Sequence, residues 1–233
     1  MIPPSSESAP PVESTLFYRT GRLLLRGILG AMHRPLVEGR EHLPRTGGVV
    51  IASNHQSFLD IPLIATSTAR HVAFVARSTL RQSRLLAFVM RQSGVILVHR
   101  DRPDHSAVRA MVDYLARGGC VCVFPEGTRT RDGSLGRFRS GAVVAARKAR
   151  VPIVPAGVRG CRNVFPPARR FPRFGRIGLR FGPPLDPTEP GALERLRAEI
   201  SVLAGADADP PDRSASPSTG APGAPGSSCP RSP

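Results

Sequence analysis

Two side chains in this 233-residue chain stand five positions apart in a pattern that could move a proton. They are His55 and Asp60, in Asn54-His55-Gln56-Ser57-Phe58-Leu59-Asp60. An imidazole takes up a proton near neutral pH, and a carboxylate against it fixes the tautomer and stabilises the charged form. The spacing restricts where the pair can lie. On a regular helix five residues turn through about 500°, leaving the side chains roughly 140° apart. They meet only if His55 is in a loop and Asp60 is in or near a first helical turn. The flanks provide this: Val49-Val50-Ile51-Ala52 reads as a buried strand, and Ile61 to Ala65, with Pro62 near its start, suits the opening of a helix. Strand-to-helix loops are where α/β folds commonly place chemistry. Alone, the pair carries little. Chance supplies roughly 0.2 such pairs in a chain of this composition, and a loop histidine with an aspartate favoured by a helix dipole reads the same way.

Three more blocks follow in order: Gly94-Val95-Ile96-Leu97-Val98-His99-Arg100, Phe124-Pro125-Glu126-Gly127-Thr128-Arg129 and Val151-Pro152-Ile153-Val154-Pro155. With Asn54-His55-x-Ser57-x-x-Asp60 they resemble the glycerolipid acyltransferase family typified by 1-acyl-sn-glycerol-3-phosphate acyltransferase, over roughly residues 35 to 182. The resemblance implies an O-acyltransferase that moves a fatty acyl group from an acyl thioester to the free hydroxyl of 1-acyl-sn-glycerol 3-phosphate, giving phosphatidate. His55 is then the general base and Asp60 its partner. Arg100, Gly127, Thr128 and Arg129 contact the acceptor phosphate, Glu126 shapes the site, and Arg139 in Phe138-Arg139-Ser140-Gly141 meets a donor or acceptor phosphate. No cofactor or metal is implied; acyl-CoA or an acyl-carrier protein is the co-substrate. No serine stands in a G-x-S-x-G elbow, so direct transfer is the simpler chemistry. Two positions depart from the family pattern. His99 stands where Asp often precedes the arginine, and Arg77-Ser78-Thr79-Leu80 replaces a frequent Lys-x-Glu-Leu. Both leave open the same chemistry on glycerol 3-phosphate, a lyso-ornithine lipid or another lysolipid.

Charge bears on partners. The chain carries 33 Lys+Arg against 17 Asp+Glu, a formal +16, and Lys148 is its only lysine. Such a balance suits anionic partners: phospholipid headgroups, coenzyme A phosphates or nucleic acid. A basic nucleic-acid-binding protein is the alternative from another class, but the chain has no zinc-finger spacing, RNP-like aromatic block or tryptophan. Four cysteines form no plausible disulfide framework. Cys120 and Cys122 alternate within one strand and face one side, which suits buried reduced thiols better than a metal site.

The elements that must position the motifs alternate. Strands are expected at 48–53, 71–76, 95–99, 120–124, 153–158 and 176–181. Helices are expected at 60–68, 81–92, 104–117 (capped by Asp104), 140–149 and 191–204. Alternation of this kind predicts a mostly parallel central sheet flanked by helices. Residues 1–14 read as a disordered N-terminus without the features of a signal peptide. An amphipathic helix follows at 15–34, with Arg19, Arg22 and Arg26 in one stripe beside Leu16, Phe17, Leu23, Leu24, Leu25, Ile28 and Met32. The arginines break any membrane-spanning run. The helix either lies at a membrane interface or packs on its own domain. The acyltransferase domain is placed at 35–204, and a Pro/Ser/Ala/Gly-rich disordered tail at 205–233. Between 162 and 175 arginines interleave with Phe165, Phe171 and Phe174, which suits a membrane surface or a solvated basic loop. These readings place the protein peripherally on the cytoplasmic face of the cell membrane.

Overall fold

A computed structural model describes residues 15–77, 95–98, 105–130, 133–166, 169 and 171–205. The disordered ends expected at 1–14 and beyond 205, the helix expected at 81–92, the Asp104 cap, His99 and Arg100 lie outside the described residues.

The apolar runs form strands β1 (Leu36–Glu38), β2 (Val49–Ser53), β3 (Val72–Arg77), β4 (Ile96–Val98), β5 (Cys120–Val123), β6 (Ile153–Arg159) and β7 (Gly178–Phe181). They pair in the order β1-β7-β6-β2-β5-β3-β4. Every neighbouring pair is parallel except β6 with β7. The helices are α1 (Leu16–His33), α2 (Asp60–Ser67), α3 (His105–Ala116), α4 (Gly141–Ala149), α5 (Cys161–Val164) and α6 (Ala192–Ala204). The fold is the expected mostly parallel α/β sheet with an N-terminal helix.

Both faces of the sheet are covered, which is why its central strands are near-continuous apolar runs. In β2, Val50 and Ala52 face a core with Val121, Met111 of α3, Ala142 and Ala146 of α4, and Leu196 and Ile200 of α6. Val49 and Ile51 face the opposite core, with Cys120, Cys122, Val154, Leu63 and Ile64 of α2, and Leu29 of α1. The two β5 thiols thus share one side, as their alternation predicts. Gly157 of β6 lets α6 lie against the sheet, since a Cβ there would run into the Leu203 backbone.

One strand and one α-helix escape sequence reading. β1 is a three-residue strand between Pro35 and Gly39, too short to show periodicity, and α5 is a single turn. Helix α1 packs on its own domain along one face and leaves an apolar face exposed. Tyr18, Leu29 and His33 are buried against the domain. The Tyr18 hydroxyl accepts from Val72 N at 3.2 Å, and Arg22 donates to the Thr68 carbonyl at 2.8 Å. Leu16, Phe17, Leu23, Leu24 and Ile28 remain exposed. No described helix is long and apolar enough to cross a membrane.

Candidate active site

His55 lies in the loop after β2, and Asp60 is the first residue of α2. The pair meets: His55 Nδ1 is 2.9 Å from Asp60 Oδ2. The same oxygen accepts Gln56 N at 2.6 Å and Ser57 N at 2.8 Å. Asp60 is fully buried, so three N–H groups converge on one desolvated carboxylate oxygen and fix the loop around it. Asp60 Oδ1 is buried and accepts no well-aligned hydrogen bond among the described residues. Beside it stands the Cys161 thiol, held well above its ordinary range by burial and then by the Asp60 charge. With Nδ1 turned to the carboxylate, the ring's Nε2 is its second site, the one available to a substrate. The imidazole stacks on Phe124, with centroids 4.0 Å apart and planes at 15°.

The motif's other polar residues brace this loop. Asn54 is buried and bonds both backbone groups of Val158, donating to the carbonyl at 3.0 Å and accepting from the N–H at 2.7 Å. It locks the end of β2 to the end of β6. Ser57 Oγ donates to the Phe165 carbonyl at 2.6 Å and accepts from Leu59 N at 3.2 Å. Glu126, also buried, takes His55 N at 3.0 Å on Oε1 and Gly136 N at 2.9 Å on Oε2. Thr130 N donates to the His55 carbonyl at 2.9 Å. Glu126-Gly127-Thr128-Arg129 is therefore laced to the histidine loop from both sides. The turn needs its glycine: Gly127 has φ of 69°, and a Cβ there would sit 3.3 Å from Arg139 Nε.

Arg129 lies over the Phe58 ring, Cζ 3.9 Å from its centroid. Its Nη1 is buried and has no hydrogen-bond partner among the described residues. A desolvated guanidinium N–H without an acceptor costs free energy. Thr128, Arg129 and Arg139 line a cleft of about 1080 Å³ with Glu126, Arg137 and Ser140. Of the expected site residues, the structure gathers His55, Asp60, Glu126, Gly127, Thr128, Arg129 and Arg139 along one connected loop system. Phe58 and Phe124 were missed by sequence reading, although both lie inside quoted motifs. An aromatic wall leaves no spacing signature of its own. The bracing roles of Asn54 and Ser57 were missed too, because their partners lie more than a hundred positions away.

A histidine anchored by a buried carboxylate, with an arginine on the adjoining loop, is an arrangement that can exchange a proton beside a cationic group. The chain belongs to the Acyltransferase family, whose model matches residues 34–159. It is 27% identical over 183 residues to 1-acyl-sn-glycerol-3-phosphate acyltransferase of Bacillus subtilis, covering 77% of this chain and 89% of that protein. It is 34% identical over 133 residues to a chloroplastic 1-acyl-sn-glycerol-3-phosphate acyltransferase of Arabidopsis thaliana. That match covers 56% of this chain but only 37% of the plant protein's length. The crystal structure of the 1-acyl-sn-glycerophosphate acyltransferase PlsC from Thermotoga maritima superposes with a TM-score of 0.69 at 28% identity, covering 80% of this chain and 76% of that one.

Proposed function

We propose that the protein transfers a fatty acyl group from an acyl thioester to the free hydroxyl of 1-acyl-sn-glycerol 3-phosphate, giving phosphatidate. The observation that carries this is the His55–Asp60 contact at 2.9 Å on a carboxylate already holding two backbone N–H groups. It leaves Nε2 to remove the hydroxyl proton as the oxygen attacks the thioester carbonyl. Asp60 stabilises the imidazolium that results. When the tetrahedral intermediate collapses, the carbon–sulfur bond breaks and the same proton passes to the departing thiolate. Acyl-CoA or an acyl-carrier protein supplies the thioester, and no serine or cysteine intermediate is needed.

Arg129 is the candidate acceptor-phosphate ligand. Its guanidinium plane is set by Phe58, and its buried Nη1 lacks an acceptor that a phosphate oxygen would supply. Gly127 and Thr128 lie exposed on the same turn. The exposed apolar residues of α1 fit a helix lying at a membrane surface, where both acceptor and product reside.

The test is acyl transfer by purified protein with acyl-CoA and acyl-carrier-protein donors against a panel of acceptors. The panel is lysophosphatidate, glycerol 3-phosphate, lyso-ornithine lipid and neutral lysolipids. Lysophosphatidate should be preferred over uncharged acceptors, and transfer should require His55. Equal use of an acceptor without phosphate would overturn the acceptor assignment.

A further inference from the structure

A second group of arginines lies apart from the Arg129 loop. Strand β6 ends at Arg159, and β7 begins beside it, with Gly178 opposite Arg159 and Leu36 of β1 opposite Gly178. Helix α1 arrives at the same corner. His33, its last residue, is tied through Nδ1 to the Gly175 carbonyl at 3.2 Å, and Arg34 follows in the left-handed region with φ of 43°. Arg34, Arg159, Arg176 and Arg180 together line a cleft of about 370 Å³ with Leu36 and Gly178. Gly178 leaves room for the partly buried Arg159, whose Nε would lie 3.7 Å from a Cβ there.

The charges around this cleft do not balance. Glu38 pairs with Arg180. Among the described residues no group accepts a hydrogen bond from the side chains of Arg34, Arg159 or Arg176. Burial first, and then repulsion by Arg180, pull Arg159 below the ordinary guanidinium value, with Glu38 opposing. Guanidinium groups gathered around one concavity repel unless an anion sits among them, and their planar forks match phosphate oxygens. Apolar surface adjoins: Leu36 in the lining is 58% exposed, and Phe174, next to the Gly175 tether, is 79% exposed. A charged head beside an apolar body is the shape of an amphiphile.

We propose that this cleft is a second phosphate site, separate from Arg129, which seats the headgroup phosphate of an anionic phospholipid and so fixes how the protein sits on the bilayer. The proposal rests on the membrane-surface reading above, and the two fail separately. Asn54, next to His55, holds Val158, which precedes Arg159, so the seat and the base share a rigid sheet edge.

The experiment uses the full chain and Arg159→Lys with Arg176→Lys, which retain charge but lose the forks. Exposed Arg176→Lys alone guards against a folding defect in the pair, and melting temperatures are checked for all three. Sedimentation is measured with phosphatidylcholine vesicles with and without phosphatidylglycerol, and turnover with a short-chain, water-soluble acceptor. A separate arm measures the thermal shift given by inorganic phosphate at constant ionic strength. The double variant should bind anionic vesicles about tenfold more weakly than wild type, with soluble-acceptor turnover unchanged. Binding equal to wild type in both variants means diffuse charge alone and overturns the site. A phosphate-induced thermal shift lost in the double variant, with vesicle binding intact, means a soluble phosphate and overturns the lipid assignment. Wild type that ignores every vesicle overturns the membrane reading itself.

Discussion

Asp60 Oδ2 receives one side-chain and two backbone donors, so changing this residue disturbs orientation and loop shape together. Asp60→Asn puts an amide N–H, or a weaker carbonyl, against three donors. It should lower both turnover and melting temperature, and acceptor saturation should move less than rate. His55→Ala takes one of three donors from the buried Asp60 carboxylate and should lower the melting temperature without preventing folding, while turnover falls ~10²–10⁴-fold or more. Near-normal turnover in folded His55→Ala would end the base assignment. Arg129→Lys separates charge from geometry. Lysine keeps the positive charge but lacks the plane that stacks on Phe58 and the paired donors that grip a phosphate. Initial rates with acceptor and donor varied independently should show weaker acceptor saturation and little change for the donor. A shift in donor saturation alone would assign Arg129 to the thioester's carrier.

Helix α1 and strand β5 make predictions of their own kind. Because Tyr18, Leu29 and His33 are buried while Leu23 and Leu24 are exposed, the two faces of α1 can be tested apart. Leu29→Ala should destabilise the fold by about 2–5 kcal/mol, the range for emptying a buried leucine site, read from denaturant unfolding. Leu23→Ser with Leu24→Ser should leave stability unchanged and weaken vesicle sedimentation. If sedimentation does not change, the exposed face of α1 is not what meets the lipid. In β5, burial pushes the Cys120 thiol up to about 12 and raises Cys122 well above its ordinary value, with Cys120 and Asp60 adding to the latter. The native thiols stay protonated where an unfolded chain would ionise. Their contribution to stability is therefore present below the ordinary thiol range and is lost as pH climbs through it towards 12. In a Cys229→Ser chain, Cys120 and Cys122 should resist a water-soluble thiol reagent at pH 8 until denaturant is added. Labelling of Cys120 or Cys122 in the folded protein, told apart from Cys161 by peptide mass, would mean that β5 is more accessible than its packing indicates.

For the whole molecule, the alternation of apolar runs and amphipathic segments was enough to read a mostly parallel sheet, because strands buried on both faces and helices buried on one differ in period. The residues that act through neighbours in sequence were also legible, as with His55 and Asp60 or the Gly127 turn. What stayed hidden depends on contacts formed only by folding. These include the Asn54 brace to Val158, the antiparallel arrival of β7, the aromatic walls at Phe58 and Phe124, and the cleft where Arg34, Arg159, Arg176 and Arg180 converge. Net charge belongs to this scale as well. A formal +16 acts over a Debye length of about 10 Å at 0.1 M salt and about 3 Å at 1 M. Long-range attraction to an anionic surface is therefore lost with salt, while buried contacts and apolar insertion are not. Turnover on anionic vesicles should fall severalfold as salt rises from the lower to the higher of these concentrations. Turnover on a short-chain acceptor in neutral micelles should change far less, since that acceptor meets no anionic surface and the proposed Arg129 seat is partly buried. Vesicle sedimentation should weaken over the same range without vanishing, because the exposed leucines of α1 do not depend on ionic strength in that way. Duplex DNA should compete for the protein only at the low end, as counterion release alone dictates. If instead DNA holds the protein at high salt while vesicles release it completely, the charge serves nucleic acid and the lipid-surface reading falls.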